Sequence, residues 1–247
     1  MPESREERAA RAGRIARALD RAYPDPRTAL RFRTPFELLV ATILSAQCTD
    51  ELVNRVTAEL FARYDGPRAL AGADAADVER IVRPTNFYRQ KAKAIQSAAR
   101  DVVERFGGEV PRTMEELVTL RGVARKTANV VRGNAFGVPG ITVDTHVARV
   151  SRRLRLARSE EPVRIEAELA EILPRERWTR TSLQLIDHGR AVCQARRPRC
   201  EVCPLRADCP WPGSAAARVH AAAQRAARPA RPARPAGTRR PAGGRAP

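Results

Sequence analysis

Thr34-Pro35-Phe36-Glu37 is a helix start: an N-cap hydroxyl, a proline at the first helical position where no N–H is needed, and a glutamate placed to close a capping box. Starts and stops of this kind recur along the chain, and alternating β-branched runs of strand length are nearly absent, so the sequence is restricted to helices. Leu38, Leu39, Ile43 and Leu44 supply the apolar face of the first of these. Thr49 caps another, in which Leu52, Val53, Val56, Leu60 and Phe61 recur at helical spacing until Asp65-Gly66-Pro67 ends it. A short helix is expected over about Ala75 to Val82, and a longer one from near Tyr88 to Phe106, stopped by Gly107-Gly108. Thr113 and Glu116 form a further capping box, opening a helix that ends before Gly122. The fold class expected is all-α.

A very short connection, Leu120-Arg121-Gly122-Val123-Ala124-Arg125-Lys126, joins that helix to the next. A tight glycine turn entering a helix whose first N–H groups are free presents backbone donors to an anion such as a phosphate. This is a helix-hairpin-helix signal, although ordinary helix pairs use similar turns. Gly122, Ala124 and Arg125 are its candidate phosphate contacts.

Near the end, Cys193, Cys200, Cys203 and Cys209 fall in the order C-x6-C-x2-C-x5-C, with a single further cysteine, Cys48, elsewhere. Tight spacing in a chain without a secretory leader argues for thiolates converging on a metal centre. Zinc sites usually repeat a short C-x2-C pair, and only one occurs here, so the spacing leans toward iron and sulfur. A structural zinc and a pair of disulfides are the alternatives.

The formal net charge is +18, carried mostly by arginine. A field of that sign gathers polyanions, nucleic acid first and an anionic membrane second. No apolar run approaches membrane-spanning length, and the Arg-rich start, Met1 to Ala18, lacks the apolar stretch of a signal peptide or anchor. A soluble intracellular protein is expected. Residues 214–247 shift to Ala, Arg, Pro and Gly, with eight arginines and no acidic residue, and are expected to be a disordered basic tail. Removing those eight charges leaves +10 on residues 1–213, so the folded part is basic in its own right.

With the hairpin, Val143-Asp144-Thr145-His146 and the cysteine cluster in this order, the chain resembles the endonuclease III family of the helix-hairpin-helix DNA glycosylase superfamily. The resemblance also includes Pro35-Phe36-Glu37-Leu38-Leu39, Leu44-Ser45-Ala46-Gln47, Lys91-Ala92, Gly107-Gly108-Glu109-Val110-Pro111 and His188-Gly189-Arg190, and runs from about Ile15 to Trp211. It implies two helical lobes with DNA across the cleft. A six-helix barrel with the hairpin would be residues 28–138, and an iron-sulfur cluster domain residues 1–27 plus 139–213.

The resemblance further implies a bifunctional enzyme that removes oxidised pyrimidines from duplex DNA and nicks abasic sites. Lys126 would attack the sugar C1′ of an everted nucleotide and form a Schiff base; the positive helix end, Arg125 and burial against DNA favour its neutral amine. Asp144, on local grounds an N-cap, would stabilise the cationic sugar and help to move protons. Gln47 would fill the vacated stack, and Phe87 would be an apolar wedge on the opposite strand; their ordinary alternatives are a turn glutamine and a core aromatic. Cys193, Cys200, Cys203 and Cys209 would hold a 4Fe-4S cluster that presents Arg196, Arg197 and Arg199 to phosphates. The partner implied is double-stranded DNA containing damaged bases or abasic sites, with no membrane partner, a monomeric protein and a cytoplasmic, nucleoid-associated location.

The chain departs from the family at Arg121 and Ala124, where Pro and Gly are usual; a left-handed Ala124 would cost about 1 kcal/mol. Asn86 replaces a glycine before the wedge and is the next best residue for a left-handed turn. Cys48 is expected to be a buried thiol outside the metal set, and His146 and His188 to be helix-end and packing residues. Two rival functions are a monofunctional mismatch glycosylase, which would lack a lysine at position 126, and a noncatalytic DNA-binding protein.

Overall fold

Side-chain caps start most of the helices. The computed structural model describes residues 3–213 and Ala217, so the basic tail expected over 214–247 otherwise lies outside the described residues. The described residues form eleven α-helices, four short 3-10 turns and no strand. In α1 (Arg5–Ala22), Ser4 and Glu7 make a reciprocal capping box. The helix α2 (Pro35–Leu44) starts at the Thr34 cap, but Glu37 does not close the box on Thr34. Its carboxylate reaches one residue further back, accepting from the Arg33 N–H at 2.6 Å and from the Arg33 guanidinium.

Thr49 caps α3 (Asp50–Arg63) as expected. Asp65-Gly66-Pro67 does more than end it: Gly66 is the N-cap and Pro67 the first residue of a short helix, α4 (Pro67–Ala71). Proline's fixed φ serves a helix start as well as a stop. Asp74 caps α5 (Ala75–Val82), and α6 (Tyr88–Phe106) ends at left-handed Gly107. The helix at Thr113 is one turn long, α7 (Met114–Leu117), and Glu116 accepts from the Thr113 hydroxyl. The chain continues through α8 (Arg125–Ala135), α9 (Thr145–Arg153), α10 (Pro162–Ala170) and α11 (Trp178–Ala191). No helix among the described residues is long and apolar enough to cross a membrane.

The buried apolar side chains gather into two clusters. The first runs from Leu30 to Val131, with α2 at its centre; every residue of α2 after Pro35 is buried, which only a helix surrounded by others allows. Complete burial of Leu38, Leu39 and Leu44 contributes roughly 2 kcal/mol each, more than helix propensity could supply. The second joins α1 to Ile141, Val143 and α9 to α11.

Asn129 of α8 stitches the two together. It is buried, and its Nδ2 donates to the Ile141 carbonyl at 2.9 Å and to Glu166 at 3.2 Å. Gly140 makes room for it, because a Cβ there would lie 2.8 Å from Asn129 Oδ1.

Asp20 ties α1 to α11 through Arg177, Arg180 and Gln184, at 2.8 to 3.0 Å. Burial opposes its ionisation, but the hydrogen bonds from Gln184, Arg180 and Arg177 outweigh that and hold the carboxyl at about 2. The folded-state value lies below the unfolded one. The stabilisation is therefore complete above about pH 4 and is lost as the pH falls through about 2. In urea titrations, the stability gap between the wild type and Asp20→Asn should close over that interval; a gap independent of pH would show that Asp20 stays ionised or contributes nothing.

Candidate active site

A cavity of about 320 Å³ opens between the two cores, within the ~300–1,000 Å³ range of small-molecule sites. The turn after α2 contributes Gln47, α8 contributes Lys126, the segment before α9 contributes Thr142 and Asp144, and α11 contributes Asp187 and Arg190. Lys126 and Asp144 thus line one cavity.

The hairpin explains the placing of Lys126. Gly122 takes φ +81°, and a Cβ on it would lie 3.0 Å from Ala94 Cβ and 3.4 Å from Ile43, so the turn presses directly on the first core. Ala124 is extended, with φ −91° and ψ 170°, so the expected strain there is absent; Gly122 alone carries the left-handed turn. No side chain caps α8, which leaves its first N–H groups for an anion. Lys126 is exposed in that first turn. Arg125 is exposed too, and it makes a bidentate pair with Glu166, at 2.8 and 2.9 Å, beside the Asn129 bond. That pairing fixes the start of α8 against α10.

Asp144 is the N-cap foreseen for α9. Its Oδ1 accepts from the N–H groups of His146 and Val147, both at 2.8 Å, and Oδ2 takes no hydrogen bond from the described residues. One oxygen therefore orients the carboxylate while the other remains available.

Gln47 and Phe87 are both exposed, and both are left-handed, at φ 54° and 57°. At 58% exposure Phe87 is not a core aromatic. The left-handed residue of its turn is Phe87 itself and not Asn86. Asn86 instead joins the two turns, donating from Nδ2 to the Gln47 carbonyl at 2.6 Å and from its N–H to Cys48 Sγ at 3.3 Å. A left-handed non-glycine residue costs about 1–2 kcal/mol, so something must hold each turn.

Below them lies Lys91, only 6% exposed. Its ammonium donates to the carbonyls of Leu44 and Ala46, at 2.8 and 2.7 Å, and to Cys48 Sγ at 3.2 Å. It satisfies the end of α2 and braces the Gln47 turn. Cys48 packs with the first core, away from the other four cysteines.

Those four are free thiols, all half-buried, and Cys193, Cys203 and Cys209 pack against the second core. Burial, reinforced by their proximity to Cys193, raises the thiols of Cys200 and Cys203. Among the described residues no three His, Cys, Asp or Glu side chains converge tightly enough for a single metal ion. Two arginines of α9 hold the loop by its backbone. Buried Arg153 donates to the carbonyls of Gln194 and Ala195 at 2.8 Å, and Arg149 to those of Cys193 and Gly189. Arg196, Arg197 and Arg199 are exposed on the same loop. His188 is buried, bonded to the Tyr23 hydroxyl and 3.6 Å from Cys203 Sγ, and burial pushes its imidazole down to about 4. His146 sits in the first turn of α9 beside Arg149.

Residues 40–175 match the model of the HhH-GPD superfamily of base excision DNA repair proteins. The endonuclease III of a Synechocystis species is 53% identical over 81% of this chain and 92% of its own length; that of Escherichia coli is 41% identical over 75% and 88%. The chain belongs to the endonuclease III family. It is a base-excision-repair DNA glycosylase with abasic-site lyase activity, and neither the monofunctional nor the noncatalytic alternative is favoured. A trapped endonuclease III–DNA covalent intermediate superposes with a TM-score of 0.78, at 42% identity, covering 82% of this chain and 96% of that one. A thermostable thymine-DNA glycosylase, 24% identical and covering 82% of this chain and 96% of its own, shares the fold with a TM-score of 0.74.

The all-helical class expected from the caps is that of the endonuclease III fold. Sequence reading missed Lys91 as a brace, Arg149 and Arg153 as clamps, and Asp187 as a cavity residue. Two signals pointed to the first: Lys91-Ala92 belongs to the family resemblance, and Lys91, Lys93 and Lys126 are the only three lysines in the chain. Replacing Lys91 by Met should leave the buried Leu44 carbonyl and the partly buried Ala46 carbonyl without their donor and lower stability by about 1–3 kcal/mol, measured by urea unfolding. A loss below about 0.5 kcal/mol would mean that the ammonium braces nothing.

Proposed function

We propose that Lys126 and Asp144 carry the reaction, and that its substrates are oxidised pyrimidines and abasic sites in duplex DNA. The observation that carries the reading is their meeting in one cavity, at the uncapped start of α8 and the capped start of α9. The Lys126 amine attacks C1′ of an everted deoxyribose, and the glycosidic bond breaks with its electron pair leaving on the base. Asp144 Oδ2 faces the cationic sugar and takes part in proton transfer. Loss of the Lys126 proton and opening of the sugar ring give the Schiff base. Removal of the C2′ proton then expels the 3′-phosphate by β-elimination. A 42% identical endonuclease III has been trapped as a covalent intermediate with DNA, which supports a covalent nucleophile here.

Gln47 enters the gap left by the base and Phe87 wedges the opposite strand; their exposure and braced left-handed turns support both roles. The hairpin at Gly122, Ala124 and the N–H groups that follow receives a phosphate, with Arg125 paired to Glu166 as a support. The division proposed is a barrel over 28–138 and a cluster domain over 1–27 and 139–213, a reading supported by the presence of two separate apolar cores.

Cys193, Cys200, Cys203 and Cys209 would hold a 4Fe-4S cluster. The donor set fits, being four free, half-buried thiols in the sequence order C-x6-C-x2-C-x5-C, the ligand type that holds iron–sulfur clusters. When bound, the cluster supplies four iron–thiolate bonds that set the conformation of a loop too short to fold alone. That loop would then present Arg196, Arg197 and Arg199 to DNA phosphates. The protein works as a monomer in the cytoplasm, close to the nucleoid.

Borohydride reduction in the presence of abasic duplex should yield a covalent adduct with the wild type and none with Lys126→Gln; adduct formation by that variant would remove Lys126 from the mechanism. Cys203→Ser should abolish the visible absorbance of the purified protein. A colourless wild type carrying one zinc would overturn the cluster.

A further inference from the structure

The cavity contains more acid than the reaction uses. Asp50, Asp144 and Asp187 all line it. Asp50 is engaged by Arg190 at 2.7 Å, and Asp144 caps α9. Asp187, near the end of α11, accepts no hydrogen bond from any described residue, although it is half-buried and burial raises its carboxyl despite nearby Arg190. A carboxyl in that condition must be satisfied by water or by whatever occupies the cavity.

Three of the hydroxyls that line the cavity are already committed. Thr42 donates to the Leu38 carbonyl, Ser45 to that of Thr42 and Ser182 to that of Trp178, at 2.7 to 2.8 Å. They can accept from an incoming group, but donating to one would break a bond to a helix carbonyl. His188, the next residue, is turned into the core toward Tyr23 and gives the cavity nothing. Asp187 is thus an uncommitted polar group presented on a rigid helix, in the same cavity as the amine that attacks C1′.

An everted nucleotide whose C1′ meets Lys126 carries its base deeper into that cavity, where an extruded base is read by hydrogen bonds to its edge. A pyrimidine offers donors there: an imide N–H in thymine-like lesions, an exocyclic amine in cytosine-like ones. We propose that Asp187 is a base-contacting residue that accepts a hydrogen bond from the edge of the everted pyrimidine. The inference rests on the functional reading above. It assigns to Asp187 a part in releasing the base, and none in cleaving a site from which the base has already gone.

That separation supplies the test. Single-turnover rates are measured for the full chain with its cluster, on duplexes containing thymine glycol, 5-hydroxycytosine or a preformed abasic site. For Asp187→Ala, base release should fall about tenfold or more, as expected for loss of a hydrogen bond to a charged group, while abasic-site nicking and borohydride trapping stay within about twofold. Asp187→Asn keeps one acceptor oxygen and should lie between Ala and the wild type. Equal losses on lesion and abasic duplexes would reduce Asp187 to a structural residue, and unchanged base release in both variants would equally overturn the proposal. A wild type that fails even on abasic DNA would instead refute the lyase reading beneath it.

Discussion

The meeting of Lys126 and Asp144 in one cavity depends on how Asn129 is held. Its side-chain amide, buried on α8, reaches the Ile141 carbonyl in the segment leading to α9, so one hydrogen bond joins the helix of Lys126 to the segment of Asp144. The net contribution of such a bond is only about 1 kcal/mol, but an unpaired buried amide and carbonyl would cost several times that. The same amide shares Glu166 with Arg125, so α10 enters the same joint. Ala128 and Val131 anchor α8 in the first core, while Ile141 and Val143 belong to the second. The relative position of amine and carboxylate is therefore set by packing on both sides, and the joint between them leaves little play.

A similar economy governs the two exposed turns. Gln47 and Phe87 adopt backbone conformations that neither residue prefers, and both are reached through one small network of Asn86, Cys48 and Lys91. Exposed residues proposed to enter a duplex would gain from being preset, because side chains ordered only on binding lose entropy at that moment. The strain in the two turns is met by the buried ammonium beneath them. Its bonds also finish α2, the helix around which the first core is built.

Much of this was legible locally. Caps at Thr34, Thr49 and Thr113, the glycine stop at Gly107 and the hairpin glycine at Gly122 each act within a few residues of themselves, so a sequence displays them directly. Errors arose where a local device had two uses, as with Pro67, which opens a helix as readily as it follows one, or where the left-handed position moved by one residue, from Asn86 to Phe87. Contacts between residues about forty apart were invisible: Arg125 with Glu166, Lys91 with the Ala46 carbonyl, Arg153 with the cysteine loop. No periodicity records such a pairing, because each partner satisfies its own helix pattern without reference to the other. Asp187 escaped for a related reason, since on α11 alone it reads as one more polar residue.

The buried ammonium of Lys91 and the cavity amine of Lys126 have a bearing on how the chain can be varied. Basic positions elsewhere are almost all arginine, which serves phosphates and carboxylates by its planar fork. A guanidinium could not fit the compact three-way grip at Lys91, and the role proposed for Lys126 requires a primary amine. With Lys91 enclosed, only Lys93 and Lys126 expose an ε-amino group among the described residues, so a mild acylating reagent would find two lysine side chains there and pass over the third.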